Sequence, residues 1–214
     1  MKIKSIFFAF LFITGAYLQA QSLEITPSYG IQFGSKLNYG PNFLRIDDGD
    51  QWGLNVGYEV DYGTLVEVSW IHHSTELSIK DIYIAPNERY LADLSADWIQ
   101  LGVMRYLNDE MVKPFVGGAL GMVILAPSNE NSEIVNRSLS NSTKFAFSFK
   151  AGINIMFSEV VGLNLQGNLL FPVSWGGVYV AGGPGGIGGG VSVSGTTVIG
   201  GFSGGLVFRL GTGG

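Results

Sequence analysis

Apolar residues recur at every second position over long stretches of this chain. The clearest stretch covers residues 145–157, where mainly bulky apolar side chains alternate with small or polar ones, and another covers residues 161–171. Because successive side chains of a β-strand point to opposite faces, each stretch has one apolar face and one small, polar face. The period of an α-helix fits neither stretch. The pattern therefore predicts β-strands.

The same alternation predicts eight strands along the chain. Their expected ranges are 23–34, 52–62, 65–77, 94–107, 113–126, 144–157, 161–173 and 197–210. The third to fifth of these strands are less regular. The apolar faces of the fourth and fifth are expected to carry Ile99, Leu101, Val103, Val116, Leu120 and Ile124.

The connections between these strands alternate strictly between short and long. Short connections lie near Gly63, at 108–112 and at 158–160, whereas the long ones cover 35–51, 78–93, 127–143 and 174–196. Outer-membrane barrels have short periplasmic turns and long external loops. The sequence therefore predicts an all-β fold, an eight-stranded antiparallel up-and-down transmembrane β-barrel with four long external loops and both termini on the periplasmic side.

The composition of the two strand faces indicates which one points outward. The polar set is small and rich in glycine, as a narrow eight-stranded lumen requires, and the bulky apolar set would face lipid. Closure of the sheet leaves no unpaired backbone edge in the membrane. A soluble lipocalin-like barrel or sandwich, with the apolar set inside, is the alternative that the loop asymmetry disfavours. Aromatic residues near strand ends are expected at the membrane interfaces: Tyr62, Trp70, Tyr106, Phe157, Phe171, Trp175 and Phe208.

The first twenty residues have the composition of an export signal. Lys2 and Lys4 precede an apolar run over residues 6–18, and Ala20 supplies a small residue at the expected cleavage point. A run of this length is short for a bilayer-spanning helix. We therefore predict a signal peptide at 1–20 and a barrel domain at 21–214, in the outer membrane of a Gram-negative bacterium after cleavage.

Charge and cysteine content exclude several function classes. The chain has 12 basic and 17 acidic residues, a formal net charge of −5, and no cysteine. No basic field exists to bind nucleic acid, and disulfides and thiolate metal sites are excluded. The acidic run 47–50 is interpreted as a turn rather than a calcium site, and the glycine-rich run 183–188 as a flexible loop, because no strand and helix flank it. No cofactor and no metal are expected.

Three segments carry a family resemblance: residues 114–118 (PFVGG), 162–167 (GLNLQG) and 204–210 (GGLVFRL). They resemble the small outer-membrane β-barrel domain proteins of Gram-negative bacteria, particularly those of Bacteroidetes. The resemblance implies the fold and the location. The expected partners are outer-membrane lipid, lipopolysaccharide and the barrel-assembly machinery. The resemblance implies no activity.

Charged and amide side chains fall on the inward face by alternation. Glu24 and Arg209 lie on the strands that closure would pair, so we expect an ion pair between them. Glu59 and Glu67 flank the turn at Gly63, and two like charges there would need a cation, Lys150 or Arg209. A polar plug is favoured over an ion path, because narrow barrels are filled by side chains. The predicted lumen cluster is Glu24, Glu59, Asp61, Glu67, Lys150, Asn154, Asn164, Gln166, Asn168 and Arg209.

A His-x-Ser motif is the weak candidate for catalysis. His72 and Ser74 share the lipid-facing side of one strand with Trp70, whereas His73 points to the other face. Outer-membrane lipid A deacylases have a similar His-x-Ser on a strand, but residues 75–77 do not resemble that family's continuation. A histidine can activate a neighbouring serine if a carboxylate orients it, and the sequence indicates no such carboxylate.

The sequence therefore predicts a non-enzymatic barrel with a structural or surface-interaction role. Surface molecules or protein partners would be contacted through the loops 35–51, 78–93, 127–143 and 174–196. A narrow solute channel and a lipid A-modifying hydrolase using His72 and Ser74 remain the alternatives.

Overall fold

The computed structural model describes residues 22–108, 110–135, 139–173, 180–183, 186–189 and 198–211. The predicted signal peptide and Trp175 lie outside these residues, as does most of the predicted loop 174–196. The strands are β1 (Leu23–Gln32), β2 (Ser35–Tyr39), β3 (Asn42–Ile46), β4 (Gly49–Asp61), β5 (Thr64–Asp81), β6 (Ala85–Tyr106), β7 (Val112–Ser128), β8 (Ser142–Met156), β9 (Val161–Val173), β10 (Val180–Gly183), β11 (Gly186–Gly189) and β12 (Ile199–Leu210). The described residues contain no helix of the length and hydrophobicity that crossing a bilayer requires.

Eight of these strands close into a ring, in the order β1-β4-β5-β6-β7-β8-β9-β12 and back to β1. Every neighbouring pair in the ring is antiparallel. The closing pair, β1 with β12, runs in register from Leu23 opposite Leu210 to Gln32 opposite Gly201. The predicted eight-stranded antiparallel barrel is confirmed, and each ring strand has a hydrogen-bonded neighbour on both sides.

One end of the barrel, the turn end, carries the short connections at 62–63, 107–111 and 157–160. The first ring strand begins there and the last one ends there, at Leu23 and Leu210. The turn between β4 and β5 needs a left-handed residue, and Gly63 has a φ of 71°. Glycine adopts this conformation at little steric cost. The Gly63 amide donates a 2.9 Å hydrogen bond to Glu59 Oε1, which fixes that carboxylate at the turn.

The opposite end, the loop end, is more regular than the sequence indicated. Residues 78–93 were expected to form a loop, but β5 and β6 continue through most of this range and meet at a turn over 82–84. The segment 35–51 contains the β2–β3 hairpin, whose strand β3 pairs with β5. The polar residues in these ranges predicted loops. A strand whose outer face meets water also carries polar residues, so the composition alone does not distinguish the two.

The extended strands and the β7–β8 connection enclose their own apolar core above the barrel, which we call the outer core. It holds eight buried residues: Leu44, Leu77, Ile79, Ala85, Leu91, Leu94, Ile134 and Val135. Burial of this kind stabilises a structure by about 25 cal/mol per Å² of apolar surface removed from water. The outer core therefore holds the three described outer segments together as one ordered extension.

Around the barrel wall, large apolar side chains face outward and form what we call the apolar belt. In β8, Phe145 and Phe149 are 49% and 56% exposed, whereas the intervening Ala146 is buried. The belt continues around the ring with Ile31, Trp52, Leu54, Val56, Val66, Val68, Trp70, Ile99, Leu101, Val103, Val116, Leu120, Met122, Leu165, Leu169, Phe202 and Leu206. The predicted orientation of the two faces is confirmed by these exposures.

The predicted interface aromatics divide into two groups. Tyr62, Trp70 and Phe157 are exposed, Phe208 is half-buried, and the Phe171 ring stacks on Phe147 with centroids 4.6 Å apart. Tyr106 contradicts the prediction, because it is buried inside the barrel. Its position at a strand end suggested an interface, but alternation from the outward Ile99 places it on the inner face.

Candidate functional site

An ion cluster fills the lumen at the turn end. Arg209 Nη2 lies 2.5 Å from Glu59 Oε2, and its Nε lies 3.6 Å from Glu24 Oε1. The structure thus brings together Glu24 and Arg209, the two residues expected to pair at the seam of the barrel. The Ser22 hydroxyl donates to Glu59 and accepts a 3.0 Å hydrogen bond from Arg209 Nε. The cluster joins β1, β4 and β12, because each strand supplies one charged side chain.

A chain of hydrogen bonds extends from this cluster across the lumen. The buried Tyr106 hydroxyl donates to Glu24 Oε2 at 2.6 Å and accepts from Asn154 Nδ2 at 2.6 Å. Asn164 Nδ2 in turn donates to Asn154 Oδ1 at 2.6 Å. Since a buried carboxylate requires compensation of its charge, Tyr106 stabilises one oxygen of Glu24 by a hydrogen bond, and Arg209 stabilises the other as an ion pair without a direct hydrogen bond.

A second ion pair lies farther into the lumen. Lys150 Nζ is 2.5 Å from Glu67 Oε1, with side-chain exposures of 14% and 6%. We expected Glu59 and Glu67 to be neighbours across the turn at Gly63. In the β4–β5 register, however, Glu67 is opposite Gly57 and Glu59 is opposite Leu65, so the two acids are not cross-strand partners. Each acid therefore has its own cation rather than a shared one.

The remaining predicted lumen residues are amides and Asp61. Gln166 Nε2 donates to the Ser203 hydroxyl at 3.2 Å, and Asn168 Nδ2 donates to Gln51 Oε1 at 3.2 Å. Asp61 contradicts the prediction, because it is exposed at the turn. The register of β4 with β5 shifts between Glu59 and Asp61, and this irregularity interrupts the alternation on which the prediction rested.

Several lumen residues escaped prediction. Buried examples are Tyr106, Lys113, Gln51, Asn55, Gln100 and Ser69. Alternation extended from the expected outward residues of β4 to β7, such as Ile99 and Val116, assigns these side chains to the inner face. The Ser148 hydroxyl donates a 2.8 Å hydrogen bond to Gln100 Oε1, which links β8 to β6 across the lumen.

Apolar side chains close the lumen above the ion pairs. This inner plug consists of Ile71, Ala96, Trp98, Val123, Ala146, Leu170 and Ile199. Two cavities below it, lined by residues that include Glu67 and Lys150, have volumes of about 10 and 20 Å³. A single water molecule needs about 10–15 Å³. Where the structure describes it, the lumen is packed rather than open.

A different polar group lies on the outer face. His72 Nδ1 is 2.9 Å from Asp97 Oδ1, and His72 Nε2 is 3.1 Å from the Ser74 hydroxyl. Asp97 is the direct cross-strand partner of His72 in the β5–β6 register. The carboxylate absent from the sequence interpretation is therefore supplied by the neighbouring strand.

Trp70 fixes the carboxylate of this outer group. Its indole Nε1 donates a 3.0 Å hydrogen bond to Asp97 Oδ1, and its ring centroid is 6.1 Å from that of His72. Trp70 is also the last apolar outward residue of β5, since the next outward positions are His72 and Ser74. The group therefore lies at the upper rim of the apolar belt.

The acidic run 47–50 does not converge on one point. Asp48 Oδ1 accepts a 2.6 Å hydrogen bond from the Gly34 amide, Asp47 Oδ2 accepts one from Ser78, and the Asp50 carbonyl lies 3.1 Å from His73 Nδ1. Over the residues described, no three His, Cys, Asp or Glu side chains are grouped closely enough to hold a metal ion.

The barrel geometry is shared with solved structures of low sequence identity. OprG from Pseudomonas aeruginosa has a TM-score of 0.66 at 13% identity, over 91% of this chain and 98% of that one. The chain has the fold of the small outer-membrane β-barrels. Neisserial surface protein A has a TM-score of 0.57 at 13% identity, over 91% and 100% of the two chains. Ail of Yersinia pestis, crystallised with the heparin analogue sucrose octasulfate, has a TM-score of 0.51 at 11% identity, over 90% and 99%.

No protein-family model matches this sequence, and no curated protein does.

Proposed function

We propose that the mature chain is inserted in the outer membrane of a Gram-negative bacterium and acts at the cell surface through its outer extension. The observation that carries the proposal is the apolar belt. Its aromatic and branched side chains are roughly half exposed around the whole ring, whereas charged and amide side chains are buried inside. Soluble monomers rarely expose so large an apolar surface, and a lipid bilayer is the solvent that favours this arrangement.

The orientation follows from the two ends of the barrel. The turn end carries short connections, as the periplasmic ends of bacterial barrels do, and the loop end carries the large ordered extension. Removal of residues 1–20 as a signal peptide and insertion by the barrel-assembly machinery are part of the proposal.

The surface role rests on the shape of the extension. At its tip the turn 82–84 exposes Tyr83 by 93% and Ile82 by 51%. Lower down, Arg89 Nη2 lies 2.5 Å from Glu133 Oε2, which joins the β5–β6 hairpin to the β7–β8 connection. An ordered extension with apolar residues at its tip suits contact with lipopolysaccharide or a protein at the cell surface. This role requires no catalysis.

Transport through the lumen is disfavoured by its packing. Ion pairs close the lower part, and the inner plug closes the upper part. Eight strands leave an interior just wide enough for side chains.

Orientation is tested by single cysteines, since the chain has none of its own. We would label intact cells expressing Tyr83→Cys or Tyr62→Cys with a membrane-impermeant maleimide. The two tyrosines are 93% and 77% exposed at opposite ends, so they form a matched pair. Tyr83→Cys should react in intact cells, and Tyr62→Cys only after permeabilisation. Labelling of Tyr62→Cys in intact cells, or recovery of the wild type in buffer without detergent, contradicts the proposal.

The surface role is tested by removing the apolar tip. The double variant Ile82→Ser/Tyr83→Ser should insert normally but lose retention on immobilised lipopolysaccharide relative to the wild type. Tyr62→Ser, at the other end, is the control and should be retained. Equal retention of all three proteins, including equal absence of retention, contradicts binding of lipopolysaccharide through the tip.

A further inference from the structure

We propose that Ser74, His72 and Asp97 form the catalytic triad of a serine ester hydrolase that acts on long-chain acyl esters at the outer boundary of the membrane. This inference goes beyond the surface role proposed above. It also replaces the expectation from the sequence that the protein has no enzymatic activity.

The three side chains have the connectivity that nucleophilic catalysis requires. The Asp97 carboxylate accepts a 2.9 Å hydrogen bond from His72 Nδ1, and the other ring nitrogen, Nε2, faces the Ser74 hydroxyl at 3.1 Å. Such triads are recognised by geometry and roles and occur on unrelated folds. Ser74 and His72 are two residues apart on one strand, and the register with β6 supplies Asp97, so all three sit on rigid β-structure.

The position of the triad selects the substrate class. Directly below it, Trp70 and Ile99 are outward, apolar and 43–44% exposed, as suits contact with acyl chains. Above it, the next outward positions of β5 are Glu76 and Ser78. In a membrane lipid the ester bonds lie where acyl chains meet the polar headgroup. The acyl ester of an outer-leaflet lipid would therefore be at the level of the Ser74 hydroxyl.

The reaction consumes one ester and one water. Ser74 Oγ attacks the carbonyl carbon while His72 Nε2 takes the hydroxyl proton. The bond from carbon to the alcohol oxygen then breaks, and His72 returns the proton to that oxygen. Water attacks the acyl-serine, gives its proton to His72, and the acyl bond to Oγ breaks as Oγ is reprotonated. The products are a free fatty acid and the alcohol. Asp97 acts through His72, as a positioning residue that holds the imidazole.

The nucleophile is tested by covalent labelling. The barrel, folded in detergent micelles, would be treated with a long-chain alkyl fluorophosphonate and digested for mass spectrometry. We expect one adduct, on Ser74, that is lost in Ser74→Ala and His72→Gln. Ser95 faces Ser74 from β6 and donates a 3.2 Å hydrogen bond to the Ala126 carbonyl, so Ser95→Ala is the matched control and should be labelled normally. Heat-modifiable mobility in electrophoresis shows that each variant is folded.

Asp97→Asn separates positioning from a structural role. If Asp97 orients the imidazole, this variant should lower the maximal rate of labelling by at least about 100-fold, in the direction of the large loss known for such a change. The concentration of probe at half-maximal rate should change little. A variant that labels at the wild-type rate shows that the hydrogen bonds only brace the β5–β6 surface, and it overturns the triad.

The lipid source is resolved by two substrates. Micellar phosphatidylethanolamine and purified lipopolysaccharide both carry ester-linked acyl chains, and released fatty acid is measured by mass spectrometry. Release from either substrate that is abolished in Ser74→Ala supports the hydrolase and identifies its source. Release from neither, or release that persists in Ser74→Ala, overturns it. Neither result affects the orientation measured with Tyr83→Cys, so failure of this inference is distinguishable from failure of the proposed surface location.

Discussion

Lys150 Nζ lies 2.5 Å from Glu67 Oε1 inside the barrel, with both side chains largely shielded from solvent. The Lys150 ammonium also lies 5.6 Å from the centroid of the Phe115 ring. The two charges come from β5 and β8, which are not adjacent in the ring. The pair therefore ties opposite parts of the wall together across the lumen.

Breaking this pair on one side should destabilise the barrel. Glu67→Gln leaves a buried ammonium without its carboxylate, and such a change typically costs about 3–5 kcal/mol. Urea unfolding in lipid vesicles, followed by tryptophan fluorescence, measures the loss. The double variant Glu67→Gln/Lys150→Met removes both charges and should recover most of the stability. A single variant as stable as the wild type would show that the pair contributes nothing.

Removal of one hydroxyl should weaken the turn end. Tyr106→Phe deletes the donor to Glu24 and the acceptor for Asn154, and a buried polar group left without a partner costs about 1–3 kcal/mol. The same unfolding measurement applies. Tyr83→Phe, which deletes the hydroxyl of the 93% exposed Tyr83, is the control and should leave stability unchanged. Equal stability of both variants would rule out a structural role for the Tyr106 hydroxyl.

The pKa of Asp93, at the loop end above the apolar belt, should be measurably lowered. A hydrogen bond from Asn129, and a second one from Tyr90 with a smaller effect, lower the pKa of Asp93 below its usual value. Because the folded pKa is the lower one, the stabilisation is fully present above the unfolded pKa and is lost as pH falls through the folded pKa. In Asn129→Ala the pKa of Asp93 should rise toward its unperturbed value, as measured by carboxyl carbon shifts in NMR.

Asn129 offers a second control within the same experiment. Its φ is 49°, a left-handed conformation that glycine adopts more readily than alanine. Asn129→Gly should raise the pKa of Asp93 as much as Asn129→Ala but destabilise the protein less. If the pKa of Asp93 stays low in both variants, the Asn129 side chain is not its cause.

The filled lumen predicts an electrically silent protein. In planar bilayers, the purified barrel should give no stepwise current, because ion pairs and the inner plug both obstruct the interior. Trp98→Ala should also remain silent, since the pair of Glu67 and Lys150 still blocks the path below it. Defined conductance steps from the wild type would instead favour the solute-channel alternative.

The outward and inward faces were predictable because alternation is a local property of the chain. Phe145 and Phe149 lie outside as expected, and Glu24 lies near Arg209 because closure of the ring requires their strands to pair. Alternation failed at Asp61, where a register shift intervenes. At Tyr106 alternation gives the correct inner face, whereas position at a strand end wrongly predicts a membrane-interface residue.

The group of His72, Ser74 and Asp97 on the outer face could not be predicted from one strand alone. His72 and Ser74 are a local motif, but Asp97 meets His72 only through the register of β5 with β6. That register depends on where the two strands turn, at 82–84, inside a segment interpreted as a loop. If residues 78–93 are read as a hairpin, the sequence predicts that Asp97 lies opposite His72.

The seam between β1 and β12 joins the beginning of the ring to its end in the sequence. The cylinder therefore cannot close until β12, the last ring strand in chain order, has joined the sheet. Without β12, the strands β1 and β9 each lack one hydrogen-bonded neighbour, and Glu24 and Glu59 lack the guanidinium of Arg209. A barrel that lacks β12 therefore has two unpaired backbone edges, and closure of the seam removes both of them at once.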